Sequence, residues 1–236
     1  MRSFRKASVV LSILIVGALF ICGCSGGSGV KASEGLEFEL NDDGTASVCG
    51  IGECTDEDLV IPSETPDGVA VTSISADAFK DNDTILSVTI PEGVTTIGPN
   101  AFKGSSINSI DFSDTVIEIG AGAFQDSDLL EIVLPANLKV VSARAFAGCM
   151  FVTSIVLPDG LEEIGASAFM GCKVNEITIP GSVVSIAADA FMSNPLNIIN
   201  GMDSLEWCEQ NGFRLMNIHL YEAPEDEPGE YVDEAS

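Results

Sequence analysis

The side chains that could do chemistry are few, and their spacing argues against most reactions. His219 is the only histidine, so a Ser-His-Asp arrangement would have to be built around it. It lies beside an alternating apolar segment at Met216, Ile218 and Leu220, where an exposed edge histidine is the simpler reading. Seven cysteines occur without a Cys-x-x-Cys pair, and with a single histidine they supply no zinc-ligand pattern. Cys49 and Cys54 bracket Gly50-Ile51-Gly52-Glu53, a loop short and flexible enough to close as a disulfide. Carboxylates cluster at Asp42-Asp43, Asp56-Glu57-Asp58, Asp81/Asp83 and Asp126/Asp128. None completes the run of oxygen ligands that a calcium loop needs. Gly26, Gly27 and Gly29 lack the Lys-Ser/Thr ending of a phosphate cradle. The expectation is a protein with no catalytic residues, no metal and no cofactor.

Charge narrows the partners. Thirty-six acidic residues face ten basic ones, for a formal net charge of −26, and three of the cations (Arg2, Arg5, Lys6) lie in the first six residues. Nucleic acid and anionic lipid headgroups would meet such a chain with repulsion, not counterion release. The N-terminus offers a different route to a membrane. The basic start is followed by an apolar stretch from Ala7 to Ile21, shorter than the roughly 20 residues of a spanning helix and ordered like a secretory signal. The next residues, Ile21-Cys22-Gly23-Cys24, resemble a bacterial lipobox. That resemblance implies removal of residues 1–23 and a diacylglycerol thioether on Cys24. Acyl chains contribute about 0.8 kcal/mol per buried CH2, enough for stable anchoring by more than one chain. Ser25 to Gly29 reads as a flexible tether within 24–35.

The strongest regularity lies between these ends. Ala-Phe recurs with Phe79, Phe102, Phe124, Phe146, Phe169 and Phe191, at spacings of 22 or 23 residues. Five residues before each Phe stands a β-branched residue: Ile74, Ile97, Ile119, Val141, Ile164 and Ile186. After each of the first five comes an apolar triplet, such as Ile85/Val88/Ile90 or Val152/Ile155/Leu157. Its last two members alternate as in a strand with one buried face. Pro91, Pro135, Pro158 and Pro180 follow four of these strands and end their pairing. The next apolar-x-x-Ile segment is expected to turn the coil, and Ala-Phe to fill it. One coil buries too little to offset the entropy of ordering it, so stacking is required.

The consensus apolar-x-x-Ile-x-Leu-Pro-x-x-Leu-x-x-Ile-Gly-x-x-Ala-Phe-x-x-Cys resembles the BspA-like leucine-rich repeat of bacterial surface proteins, across roughly residues 37–220. Clear copies are Ile155-Val156-Leu157-Pro158 with Ile164-Gly165 and Ala168-Phe169. Departures are Ser113 for the proline, Val141-Ser142 for Ile-Gly, and Met192-Ser193-Asn194 without the cysteine. Cys149 and Cys172 match the family's interior cysteine and read as small core residues. The resemblance implies a mainly β solenoid of 22–23-residue coils with a parallel sheet, over residues 36–220. Leu36 to Leu40 and Thr45 to Cys49, joined by Asn41-Asp42-Asp43-Gly44, are expected as a capping hairpin. Asp203 to Gly212 is expected as a capping helix, with a final strand within Arg214 to Tyr221. Residues 221–236, acidic and carrying Pro224 and Pro228, are expected to be a disordered tail.

Between the inward apolar positions of each strand, two columns should face solvent. Ser87, Ser109, Glu131, Ser154 and Glu176 form one; Thr89, Asp111, Val133, Val156 and Thr178 form the other. Their polar members are the candidate ligand-binding residues, suited to a polypeptide partner, including a basic one. The family resemblance implies contact with host or envelope proteins from an extracytoplasmic, lipid-anchored position, as a binding or adhesion module; a structural envelope scaffold without a discrete ligand site is the alternative. Metabolic labelling with a fatty-acid probe should mark the full chain and leave Cys24→Ala unmarked. Equal labelling of the two would reject the lipid anchor.

Overall fold

The computed structural model describes residues 31–196 and the strand segments Ile198–Asn200 and His219–Leu220. Among them the regular elements are all strands: β1 (Glu37–Leu40), β2 (Ala46–Gly50), β3 (Asp58–Val60), β4 (Val71–Ile74), β5 (Ser87–Ile90), β6 (Thr96–Ile97), β7 (Ser109–Phe112), β8 (Glu118–Ile119), β9 (Glu131–Val133), β10 (Val140–Val141), β11 (Ser154–Val156), β12 (Glu163–Ile164), β13 (Glu176–Thr178), β14 (Ser185–Ile186), β15 (Ile198–Asn200) and β16 (His219–Leu220). The chain winds as a solenoid in which each regular coil contributes one longer and one two-residue strand. Like strands of successive coils pair in parallel, for example Ser87↔Ser109 and Ile90↔Phe112 between β5 and β7. Proline ends the longer strand as expected, with Pro91 directly after β5.

The two-residue strands correct the sequence reading. The apolar-x-x-Ile segment does more than turn the chain: it builds a second sheet, β1-β2-β4-β6-β8 and β10-β12-β14, parallel from β2 onward. The capping hairpin is present, with β1 antiparallel to β2. Its outer edge carries Glu37 and Glu39, charges that discourage edge-to-edge association. A hydroxyl network docks the hairpin on the first coil. Ser47 Oγ donates to Asn41 Oδ1 at 2.8 Å and lies 2.6 Å from Ser73 Oγ, while Thr72 Oγ1 donates to Thr45 Oγ1 at 2.9 Å. The expected helix from Asp203 to Gly212 lies outside the described residues, as does all but His219–Leu220 of the expected last strand. That pair runs parallel to β15.

The interior is organised around the repeated phenylalanines. Phe79, Phe102, Phe124, Phe146, Phe169 and Phe191 form one buried row. Successive ring centroids are 5.0–5.6 Å apart, with interplanar angles of 4–17°. The alanine before each of the last five is fully buried. Around each ring the backbone bends sharply, with left-handed residues two before and two after it in the best-formed coils. Asp77 and Asp81 flank Phe79 at φ 58° and 54°, and Gly122 and Asp126 flank Phe124 at 66° and 58°. This geometry points alternate N–H groups at the next coil. Gly122, Phe124 and Asp126 donate to the carbonyls of Ala143, Ala145 and Ala147 at 2.8–3.0 Å. Polar side chains at the end of the turn satisfy carbonyls of the same turn or of the turn one coil earlier. Ser105 Oγ donates to Phe102 O at 2.8 Å, Cys149 Sγ to Phe124 O at 3.1 Å, and Asn194 Nδ2 to Phe169 O at 2.7 Å. Asn194 thus replaces the repeat cysteine without leaving a carbonyl bare.

The coils are not equally joined. Between the coil of β7 and β8 and that of β9 and β10, both sheets are interrupted. Gly98 and Gly120 sit so close to the preceding coil that an added Cβ would lie 2.6 Å from a backbone nitrogen. Each donates its N–H to that coil, Gly98 to Ile74 O and Gly120 to Ile97 O, at 2.8 Å. Ser142 occupies this position at the interrupted junction. Ala187 also has a Cβ yet keeps its bond to Ile164 O at 2.9 Å, so the side chain alone does not cause the break. The phenylalanine turn crosses the junction intact.

Two substitutions test this packing. Phe124→Ala should lower stability by about 3–5 kcal/mol, the usual cost of emptying a buried aromatic site, read by urea unfolding. Arg144, left-handed at φ 57° with no glycine or asparagine to ease it, should gain up to about 1 kcal/mol as Arg144→Gly.

Candidate functional site

The longer strands expose one side of their pleat. Val88, Ile132, Ile155 and Ile177 point inward and are buried, so the residues on either side point out. Registers place the candidate residues in columns. Ser87 pairs with Ser109 and Thr89 with Asp111, while Glu131 pairs with Ser154 and Val133 with Val156. Glu176 and Thr178 pair onward with Ile198 and Asn200. Ser109, Asp111, Glu131, Ser154, Glu176 and Thr178 are exposed; Ser87 and Thr89 are half-buried. The columns follow coil order, with registered pairing interrupted between β7 and β9 and between β11 and β13, and their exposed members leave the surface open.

Two features of this face escaped the sequence reading. Asp58 begins the first column one coil earlier, in register with Ser87, and accepts a 2.6 Å hydrogen bond from Ser87 Oγ. It stands outside the Ala-Phe period, and its irregular coil gave no alignment to find it by. The middle of the face is also apolar. Val133 and Val156 are each 51% exposed, and Leu130, Met150 and Phe151 are 55–61% exposed. Comparing each with its repeat position would have shown the anomaly.

Other candidates resolve differently. Cys49 and Cys54 are both free thiols in this structure, without the disulfide that their spacing would allow. Cys49 sits where the β1–β2 register shifts between Glu37 and Phe38, on the opposite side of the strand from buried Val48, whereas Cys54 is packed in the core. Burial, and then the nearby Glu39 and Glu37, push the Cys49 thiol above its ordinary value. The acidic pairs serve turns. Asp43 Oδ1 accepts from Thr45 N and Oγ1 at 2.9 and 2.7 Å, and those bonds lower its pKa. Asp126 accepts from Gln125 Nε2 at 3.0 Å. Among the described residues no three His, Cys, Asp or Glu side chains are grouped to hold a metal ion. His219 is described only through its backbone pairing with Ile198. A shallow depression lined by Lys31, Glu34, Glu53, Thr55 and Asp56 lies at the capped end, with the Lys31–Glu34 ion pair, 2.8 Å and fully exposed, on its rim.

The sequence profile of the BspA type leucine-rich repeat region matches residues 72–198 and 139–226, in six copies. No curated protein matches the chain. Among solved structures, a leucine-rich cell surface protein of Faecalibacterium prausnitzii is 24% identical, with a TM-score of 0.54, over 75% of this chain and 58% of its own. The pneumococcal vaccine antigen PcpA is 22% identical, with a TM-score of 0.62, over 74% of this chain and 50% of its own. These likenesses establish the fold. The chain spans between half and three-fifths of the length of these two proteins.

The interior thiols carry a testable pH signature. Burial pushes Cys149 up to about 11 and Cys172 up to about 12. Both are therefore protonated in the fold when an unfolded thiol, near 8.5, has begun to ionise. Their contribution is complete below the unfolded value and is lost as pH rises towards the folded ones. The stability difference between the native chain and Cys149→Ser/Cys172→Ser should be flat below pH 8 and move against the native chain above pH 9. A gap independent of pH up to 11 would contradict this.

Proposed function

The chain belongs to the BspA-type leucine-rich repeat family, and on that footing we propose that it is an extracytoplasmic lipoprotein that binds a polypeptide partner on the outward face of its longer strands. In this reading residues 1–23 are the removed signal and Cys24 carries the lipid. Residues 24–35 lift the solenoid of residues 36–220 off the bilayer, and residues 221–236 form an acidic tail. The leader's charge and apolar pattern supports the exported location. It agrees with one structural relative being a cell surface protein.

The observation that carries the binding assignment is the set of registered, exposed columns holding Asp111, Glu131 and Glu176 beside hydroxyl residues. A solenoid's interior is committed to stacking, which leaves the outward positions free to be chosen for recognition. A chain of net charge −26 attracts basic surfaces and repels anionic ones. Catalysis forms no part of this reading, and neither does a cofactor.

The test is charge reversal at matched folding. Asp111→Lys/Glu131→Lys/Glu176→Lys should capture fewer partners from an extracellular protein mixture than the native chain. Identical partners for both would end the assignment to this face. Capture of none by either would favour a scaffold role.

A further inference from the structure

We infer that Leu130, Val133, Met150, Phe151 and Val156 form the docking centre for a cationic amphipathic segment of a partner polypeptide. This deepens the protein-binding reading and rests on it. Exposed apolar residues on a soluble surface are ordinary when scattered and informative when grouped. Here all five fall within two short segments of successive coils, residues 130–133 and 150–156. Val133 and Val156 are direct register partners, which puts them on adjacent strands about 4.8 Å apart. Leu130 and Phe151 lie in the segments that enter those same two strands, and Thr153 N donates to Leu130 O at 3.3 Å.

The grouping is local to two coils and is not a property of the repeat. In the Val133/Val156 column, other coils carry Thr89, Asp111 and Thr178, with a half-buried Val60 at the first coil, and at the Leu130 position Leu86 is less exposed, at 39%. In the position of Phe151, the coils before and after carry Asp128 and Lys173. Phe151 also comes with an insertion. One residue, Asp128, separates Ser127 from Leu129, and one, Lys173, separates Cys172 from Val174. Two, Met150 and Phe151, separate Cys149 from Val152. Cys149 and Val152 keep their buried places, so the extra residue adds apolar surface outside without serving the core. The aliphatic pairs and the aromatic ring together make the kind of centre that dominates binding when a polar rim excludes water around it.

The rim specifies the occupant. Asp111, Glu131 and Glu176 occupy the same outward columns, Asp128 and Asp159 lie in the segments that enter or leave these strands, and all are exposed; among these described residues the cation is Lys173, at the repeat position of Phe151 one coil later. A second copy of this chain would bring the same acidic rim against itself under a net charge of −26. An anionic lipid surface meets the same repulsion. A segment with an apolar face flanked by Lys or Arg satisfies both the centre and the rim.

The experiment is fluorescence anisotropy at 0.15 M salt with two labelled 14-residue probes. One has Lys and Leu on opposite helical faces; the other keeps the Lys and replaces Leu by Ser. The variants are Val133→Thr/Val156→Thr and Phe151→Asp, each installing a residue that another coil already carries at that position, with thermal unfolding as the folding control. The native chain should bind the Leu probe at least roughly tenfold tighter than the Ser probe, the scale of one lost hot-spot contact. Both variants should lose that preference while binding the Ser probe as before. An unchanged preference in the variants, or no binding of either probe to the native chain, overturns the inference. A native dimer in sedimentation that dissociates on Val133→Thr/Val156→Thr overturns it in favour of self-association. Charge reversal with unchanged extracellular partners instead overturns the face assignment, so the two failures are separable.

Discussion

Stacked rings at a spacing of 5.0–5.6 Å set a rise that every other part of each coil has to match. The ring row alone would be a weak determinant, since aromatic pairs add only about 0.5–1.5 kcal/mol each beyond burial. Its force comes from the backbone around it. Phe79, Phe102, Phe124, Phe146 and Phe169 each donate their N–H to the carbonyl of the alanine before the next phenylalanine, at 2.7–2.9 Å. Ring contact and hydrogen bond are thus made by the same residue to the same neighbouring coil. This turn ladder persists where both sheets are interrupted, which identifies it as the continuous element of the solenoid.

That constraint divides each coil into committed and free positions. The phenylalanine and the β-branched residue five before it are buried in every coil, and so are the alanine of the last five coils and most inward strand residues. The polar end of the turn is held less strictly: serine, cysteine and asparagine all satisfy a carbonyl there. Outward strand residues meet no demand from the stack. They range from Thr89 and Asp111 in one registered pair to Val133 and Val156 in another. A surface of this kind can change its partner without changing its fold.

Much of this was legible from residue types because the inward pattern is periodic. The Ala-Phe row, the longer strands and the proline stops follow from spacing alone. The second sheet did not, because its strands are two residues long: an apolar-x-x-Ile segment with one buried end looks the same whether it turns or pairs. The left-handed corners were visible at Gly104, Gly122 and Gly148 but hidden at Arg144 and Ser167, residue types with no local preference for that conformation. Cys49 and Cys54 are a different case: closeness along the chain allows a bond, while the fold holds both as free thiols, Cys54 packed in the core and Cys49 half-buried. The apolar cluster around Phe151 was overlooked because the outward columns were read for polar residues, and an inserted residue falls between columns.

The central claim is that coils are held by their neighbours through the phenylalanine turn. The most direct measurement is equilibrium urea unfolding of a chain with one complete coil duplicated, inserted in phase between Gly165 and Ala166. The account predicts a rise in both the unfolding free energy and its urea dependence, since the added coil buries surface on two sides. A duplicated chain no more stable than the native one, with an unchanged urea dependence, would contradict it.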